Sequence, residues 1–113
     1  MITYWHNPRC SKSRAGLALL QDNGVEVQQR LYLQDPPSLT EIKQLQTALG
    51  LSAIEMMRAK DKLFKELGLS KTATDAELQS AMANHPGLIE RPIAIKGDRA
   101  VIGRPTEAIE TLL

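Results

Sequence analysis

Residues 2–33 read as strand, helix, strand, and this unit constrains the fold more than any other feature of the chain. Ile2-Thr3-Tyr4-Trp5 is β-branched and aromatic, which suits a short half-buried strand. Residues 11–22 follow as a helix, with Ala15, Leu17, Ala18, Leu19 and Leu20 supplying its apolar stripe. Asn23-Gly24 stops it, with glycine placed as a C-terminal cap. Residues 25–33 open with alternation and suit a second strand. A strand–helix–strand unit of this length packs only as a right-handed crossover, so the two strands pair in parallel.

Downstream, Asp35-Pro36-Pro37 breaks the pattern. Ser38 and Glu41 form a capping box that opens a helix through about Leu49, and Gly50 closes it. Residues 51–84 are helical but fragmented, with pieces expected at 52–57, 61–67 and 74–84. Their Met56, Met57, Leu63, Leu67, Leu78 and Met82 are read as core residues. Pro92-Ile93-Ala94-Ile95 and Ala100-Val101-Ile102 flank a glycine-containing turn and predict a β-hairpin. Pro105 is expected at the first position of a closing helix over residues 105–112. The order is β-α-β, a helical insertion at about 38–84, then β-β-α. It predicts one α/β domain over residues 1–113 with a mixed four-stranded sheet.

Cys10 is the single cysteine, and it sits where the first strand hands over to the helix. A thiol at a helix start faces unpaired backbone N–H groups and the positive end of the dipole, and both favour the nucleophilic thiolate. Arg9, Lys12 and Arg14 crowd the same segment, and no acidic residue precedes Asp22. A lone cysteine is commonly a small buried hydrophobe. Cys10 is instead bracketed by Pro8, Arg9, Ser11 and Lys12, the composition of an exposed turn. His6 lies four residues upstream, as a candidate charge partner or, equally, a turn histidine with a structural hydrogen bond. A reactive cysteine after the first strand of such a unit matches a thioredoxin-like fold.

The remaining composition excludes several classes. A net charge of +1 and four aromatic residues give no footprint for nucleic-acid binding. No apolar run is long enough for a membrane span, and no signal peptide is visible. With one cysteine no internal disulfide is possible, so a redox role needs an outside thiol. One cysteine and two distant histidines give no structural metal site. A reducing, cytoplasmic setting is expected.

The string His6-Asn7-Pro8-Arg9-Cys10-Ser11-Lys12-Ser13-Arg14 resembles the active-site segment of the glutaredoxin-linked arsenate reductases. The likeness continues at Leu31-Tyr32-Leu33-Gln34-Asp35-Pro36-Pro37, Met57-Arg58, Glu66-Leu67-Gly68-Leu69, His85-Pro86, Leu88-Ile89, Arg91-Pro92-Ile93 and Gly103-Arg104-Pro105. These blocks fall in the family's order, and the length is similar to that of its short chromosomal members. The resemblance implies a thioredoxin-like fold and Cys10 as nucleophile. It also implies Arg58, Arg91 and Arg104 as ligands of arsenate or a similar oxyanion. Planar, permanently charged guanidinium groups suit a tetrahedral oxyanion, because each can donate to two oxygens at once. Arg91 and Arg104 each precede a proline and flank a strand of the expected hairpin.

The resemblance further implies no bound cofactor, with glutathione and glutaredoxin acting as external reductants. Pro92 is expected after a cis peptide bond beside the cysteine, as in thioredoxin-like folds. Ser13 stands where dithiol relatives carry a second cysteine, and its hydroxyl is a candidate donor to the Cys10 thiolate. Many members have Gly-Thr after the cysteine where this chain has Ser11-Lys12, which implies a pocket of different shape and charge. Two alternatives share the fold. One is a regulator of the Spx type that binds RNA polymerase. The other is a glutathione-dependent reductase of another substrate.

Overall fold

A computed structural model describes residues 1–113. The chain divides into two compact units, one of Met1–Asp35 with Arg91–Leu113 and one of Pro36–Glu90.

The first unit holds a four-stranded sheet in the order β2-β1-β3-β4. Its strands are β1 (Ile2–Trp5), β2 (Val27–Arg30), β3 (Ile93–Lys96) and β4 (Arg99–Ile102). Helix α1 (Ser11–Asp22) links β1 to β2, which pair in parallel as the crossover requires. β3 runs antiparallel to β1, and β4 antiparallel to β3, so the sheet is mixed. The hairpin forms as expected, with Lys96 paired to Arg99 across a two-residue turn. β2 is shorter than the alternation over 25–33 suggested, because residues 31–35 fold back as a turn in which the Gln34 and Asp35 N–H groups both donate to the Leu31 carbonyl.

The core of this unit is Ile2, Tyr4, Leu20, Ala94, Ile109 and Leu112. Ile2 and Tyr4 share a sheet face because alternate strand residues do, and Ala94 joins them as the register partner of Tyr4. The buried face of α1 is Ser13, Gly16 and Leu20, with Leu17 partly buried beside them. That differs from the stripe expected from composition: Ala15 and Ala18 are exposed. The spacing 13, 16, 17, 20 is the helical one, and it selects a serine and a glycine over two alanines.

Gly16 is required by close approach. A methyl group there would strike the Tyr4 hydroxyl and lie 2.7 Å from the Ile109 side chain. Alanine ordinarily stabilises a helix interior over glycine by about 1 kcal/mol. Here Gly16→Ala is expected to destabilise, because overpacking a filled core typically costs about 1–3 kcal/mol. Urea unfolding followed by far-UV circular dichroism would read it, and a stabilised Gly16→Ala variant would refute the packing account.

The closing segment is a 3₁₀ helix over Thr106–Leu112. Pro105 caps it rather than opening it, one position earlier than expected, and the Arg104–Pro105 bond is cis. Lys96 Nζ and Arg99 donate to the carbonyls of Leu112 and Thr111, which ties this segment to the hairpin.

The second unit is helical: α2 (Leu39–Leu49), α3 (Lys62–Glu66), α4 (Asp75–Asn84) and 3₁₀ turns at Ile54–Met56 and Pro86–Leu88. Both halves of the Ser38–Glu41 capping box are present, and Gly50 ends α2 in the left-handed region at φ 68°. Residues expected as a helix over 52–57 form only the 3₁₀ turn, after which Met57 bridges Ile89 in antiparallel fashion. Met56, Met57, Leu78 and Met82 are buried as expected. Leu67 is not, at 37% exposure; Phe64 fills the core from α3 instead. No helix of the chain is long and apolar enough to cross a membrane.

Candidate active site

Strand directions gather the site at one edge of the sheet. Residues 6–10 leave the C-terminal end of β1. Because β3 is antiparallel to β1 and Trp5 pairs with Ile93, Arg91 and Pro92 enter β3 at that same edge. Ile93 pairs with Ile102, so Gly103 and Arg104 leave β4 there too. Residues far apart in sequence therefore meet around Cys10.

Cys10 is the N-cap of α1, with extended backbone at φ −96° and ψ 122°. Its N–H donates to the Asn7 carbonyl at 3.0 Å, closing a tight turn. The thiol closes no full capping hydrogen bond. Partial burial pushes its pKa up, but the backbone N–H of Ser13, a hydrogen bond and charge from the Arg91 guanidinium, and the backbone N–H of Lys12 outweigh burial. The net shift is downward from the ordinary thiol value. The expectation of a lowered pKa holds, with a correction to its source. The cation acting on the sulfur is Arg91, which lies eighty-one positions away in sequence, while Lys12 contributes its backbone. Cysteine alkylation rate against pH is expected to give a midpoint below the free-thiol value of about 8.5; a midpoint at or above it would contradict this geometry.

Arg91 precedes the cis bond to Pro92, as expected. Arg104 Nε donates to the Arg91 carbonyl at 2.7 Å, and the Gly103 N–H donates to the Pro92 carbonyl at 2.8 Å. Gly103 permits this approach, since a Cβ there would sit 2.8 Å from both the Pro92 ring and Ile109. Arg104 thus braces the backbone of the residue that contacts the thiol.

Ser13 is fully buried. Its Oγ accepts the Asn7 N–H at 2.9 Å and meets His6 Nδ1 at 2.7 Å. One proton lies between Oγ and the Nδ1 of a neutral imidazole, and the tautomer sets which of the two donates. Burial and the charge of Arg14 both lower the His6 pKa, which favours the neutral form. His6 is therefore not a positive partner for the thiolate, and the Ser13 hydroxyl is committed to His6 and Asn7. Ser13 acts on Cys10 through its backbone N–H.

The profile of the ArsC family matches residues 5–112. An arsenate reductase of Neisseria meningitidis serogroup A is 50% identical, with 99% of this chain and 97% of that protein covered. One from Haemophilus influenzae is 45% identical over 99% of this chain and 98% of its own length. The solved structure of an arsenate reductase from Vibrio cholerae is similar at a TM-score of 0.95 and 46% identity, covering 99% of this chain and 97% of that one. The chain belongs to the ArsC family. Its fold is the thioredoxin-like fold of that family.

In this ArsC-family chain, Arg58 lies in the helical unit. Its N–H donates to the Leu88 carbonyl at 2.8 Å, and its guanidinium pairs with Asp61 at 2.9 Å. Asp61 also caps α3 by accepting the Leu63 N–H, so the guanidinium rests on an anchored carboxylate.

Three residues act at the site in ways that the sequence reading did not assign. Asn7 organises the turn with its backbone and its Oδ1, which accepts the Arg9 N–H. Arg14 donates to the Pro8 carbonyl at 2.7 Å, holding that turn from the helix side. Tyr4, its pKa raised by burial, donates its hydroxyl to the Ser13 carbonyl at 2.7 Å. The string around Cys10 signalled the first two; nothing local signals that a strand tyrosine reaches the helix backbone.

Proposed function

We propose that the chain reduces arsenate to arsenite through the Cys10 thiolate, with glutathione and glutaredoxin as outside reductants. The observation that carries this reading is the Arg91 guanidinium beside the Cys10 sulfur, together with the Lys12 and Ser13 N–H groups at the start of α1. These groups favour an anionic nucleophile, and their type suits an incoming oxyanion. Family membership and relatives named arsenate reductase support arsenate as the oxyanion.

In the proposed sequence the Cys10 thiolate attacks arsenic(V), and an oxygen of arsenate leaves as water after protonation. A glutathione thiolate then attacks the Cys10 sulfur. The S–As bond breaks and its electron pair stays on arsenic, which leaves as arsenite after taking up protons. Each sulfur is oxidised by one electron, and Cys10 is left as a mixed disulfide with glutathione. A glutaredoxin thiolate attacks the glutathione sulfur and releases the Cys10 thiolate. The absence of a second cysteine in the chain supports an outside resolving thiol. In this sequence Arg91 and Arg104 hold the oxyanion and neutralise charge developing on it. For Arg58 the support is the family resemblance.

The test is a coupled assay with purified protein, arsenate, glutathione, glutaredoxin and NADPH-linked recycling. Arsenate-dependent NADPH consumption is expected. Its absence with a folded chain and an active recycling system would overturn the assignment. Arg104→Ala is expected to lower kcat/KM, by up to about 10²–10³-fold, the loss typical of removing one oxyanion donor. Arg58→Ala is expected to lower it as well, with unchanged activity removing Arg58 from the site.

A further inference from the structure

A cleft of about 320 Å³ opens beside the nucleophile's turn, with Asn7, Pro8 and Arg9 on one wall and Leu31, Leu33 and Gln34 on the other. Its volume lies at the lower end for ligand sites, about 300–1,000 Å³. Cys10 follows Arg9 directly, and its N–H bonds to Asn7, so one wall of the cleft and the nucleophile belong to the same turn. The other wall follows β2 at the same sheet edge. It is fixed by the two hydrogen bonds to the Leu31 carbonyl and by Arg30, which lies 5.3 Å over the Trp5 ring and pairs with Asp35 at 3.5 Å.

The lining is apolar along Pro8, Leu31 and Leu33, with Leu33 45% exposed. Its polar side chains are the cation Arg9, the amides Asn7 and Gln34 and the imidazole of His6, and it carries no acidic side chain. The nearest carboxylate in sequence, Asp35, is taken up by Arg30. This chemistry fits a small peptide that carries a free carboxylate and amide groups.

We infer that this cleft seats the peptide arm of glutathione while its sulfur reacts at Cys10, with Arg9 and Gln34 receiving a carboxylate end and Leu31, Leu33 and Pro8 supporting the chain. The inference rests on the reading of glutathione as the outside thiol and adds where it binds. It makes the mixed disulfide a held intermediate.

The test needs no arsenate. The Cys10 thiolate attacks one sulfur of oxidised glutathione, forming the mixed disulfide and expelling the other half as glutathione thiolate. The same exchange with bis(2-hydroxyethyl) disulfide, which has no charge and no peptide, serves as the reference. Both rates are read by intact mass. Arg9→Gln is expected to lower the ratio of the two rates about fivefold, the upper range for an exposed ion pair. Gln34→Glu should lower it by a similar factor, because it sets a like charge against the carboxylate. Added salt should erode the wild-type preference. A ratio unchanged by both substitutions overturns the site, as does a salt-independent preference. Cleft-dependent exchange in a chain that turns over no arsenate keeps the site and removes the arsenate reading. Arsenate turnover driven equally by glutathione and 2-mercaptoethanol, and unaffected by Arg9→Gln, removes the site alone.

Discussion

Cys10→Ser is expected to bring arsenate-dependent NADPH consumption to the background of the assay. A serine hydroxyl is a weak nucleophile unless an adjacent base takes its proton. None is placed to do so here: His6 directs Nδ1 to Ser13, and the groups facing Cys10 are Arg91 and two backbone N–H groups, all donors. Donors stabilise a thiolate already formed, but they do not remove a hydroxyl proton. The variant should fold, since Cys10 is only partly buried and closes no capping bond with its side chain. A midpoint of thermal unfolding near wild type establishes that. Turnover by the folded serine variant would remove Cys10 as nucleophile.

Arg91→Ala should have the next largest effect, and it should appear in two independent readouts. The guanidinium both donates to the thiolate and acts on it through its charge. Without it, burial raises the thiol pKa against the Ser13 and Lys12 N–H groups alone, so the alkylation midpoint moves up in pH. At any pH below the new midpoint the thiolate fraction falls. The proposed oxyanion also loses a bidentate donor, and losing one such donor typically costs about 10²–10³ in rate. The loss in kcat/KM should therefore exceed what the thiolate fraction alone predicts, and it should persist at high pH where the thiol is ionised. Arg91→Lys should restore much of the midpoint and little of the rate, because an ammonium supplies charge without the planar fork. The stability linkage has a definite sign. A folded pKa below the unfolded one adds stability above the unfolded thiol value, and this is lost as pH falls through the folded pKa. Arg91→Ala should flatten that dependence. An unchanged alkylation midpoint in Arg91→Ala would separate Arg91 from the thiol.

The parts of this protein that a local stretch of chain can dictate are legible in the sequence. The crossover follows from one strand, one helix and one strand of the right lengths. Helix α2 is specified by Ser38, Glu41 and Gly50, whose side chains and backbone act within a turn of where they stand. The hairpin and the position of Cys10 at a helix start are local in the same sense. Errors fell where local preference gave way to neighbours. Residues 52–57 are good helix formers, yet the segment turns after one 3₁₀ turn so that Met57 can pair with Ile89. Leu67 has the side chain of a core residue, but at the end of a five-residue helix it is Phe64 that points inward.

By itself the sequence determined the candidate nucleophile, the elements that carry it and the family. Its single cysteine, helix-start signals and ordered motif blocks are properties of the linear chain. Only the tertiary structure decided what surrounds the thiol. Clustered Arg9, Lys12 and Arg14 suggested a local field, whereas the effective charge comes from Arg91, delivered by the antiparallel pairing of β3 with β1. In the sequence His6 reads equally as a charge partner or a structural turn histidine; the fold bonds it to Ser13, and burial and Arg14 disfavour its charge. The Tyr4 hydroxyl bonds the Ser13 carbonyl through a gap that Gly16 leaves open, a contact set by how a helix packs on a sheet. Hydrogen bonding and desolvation depend on distances in space, and the chain fixes those only once its strands have paired.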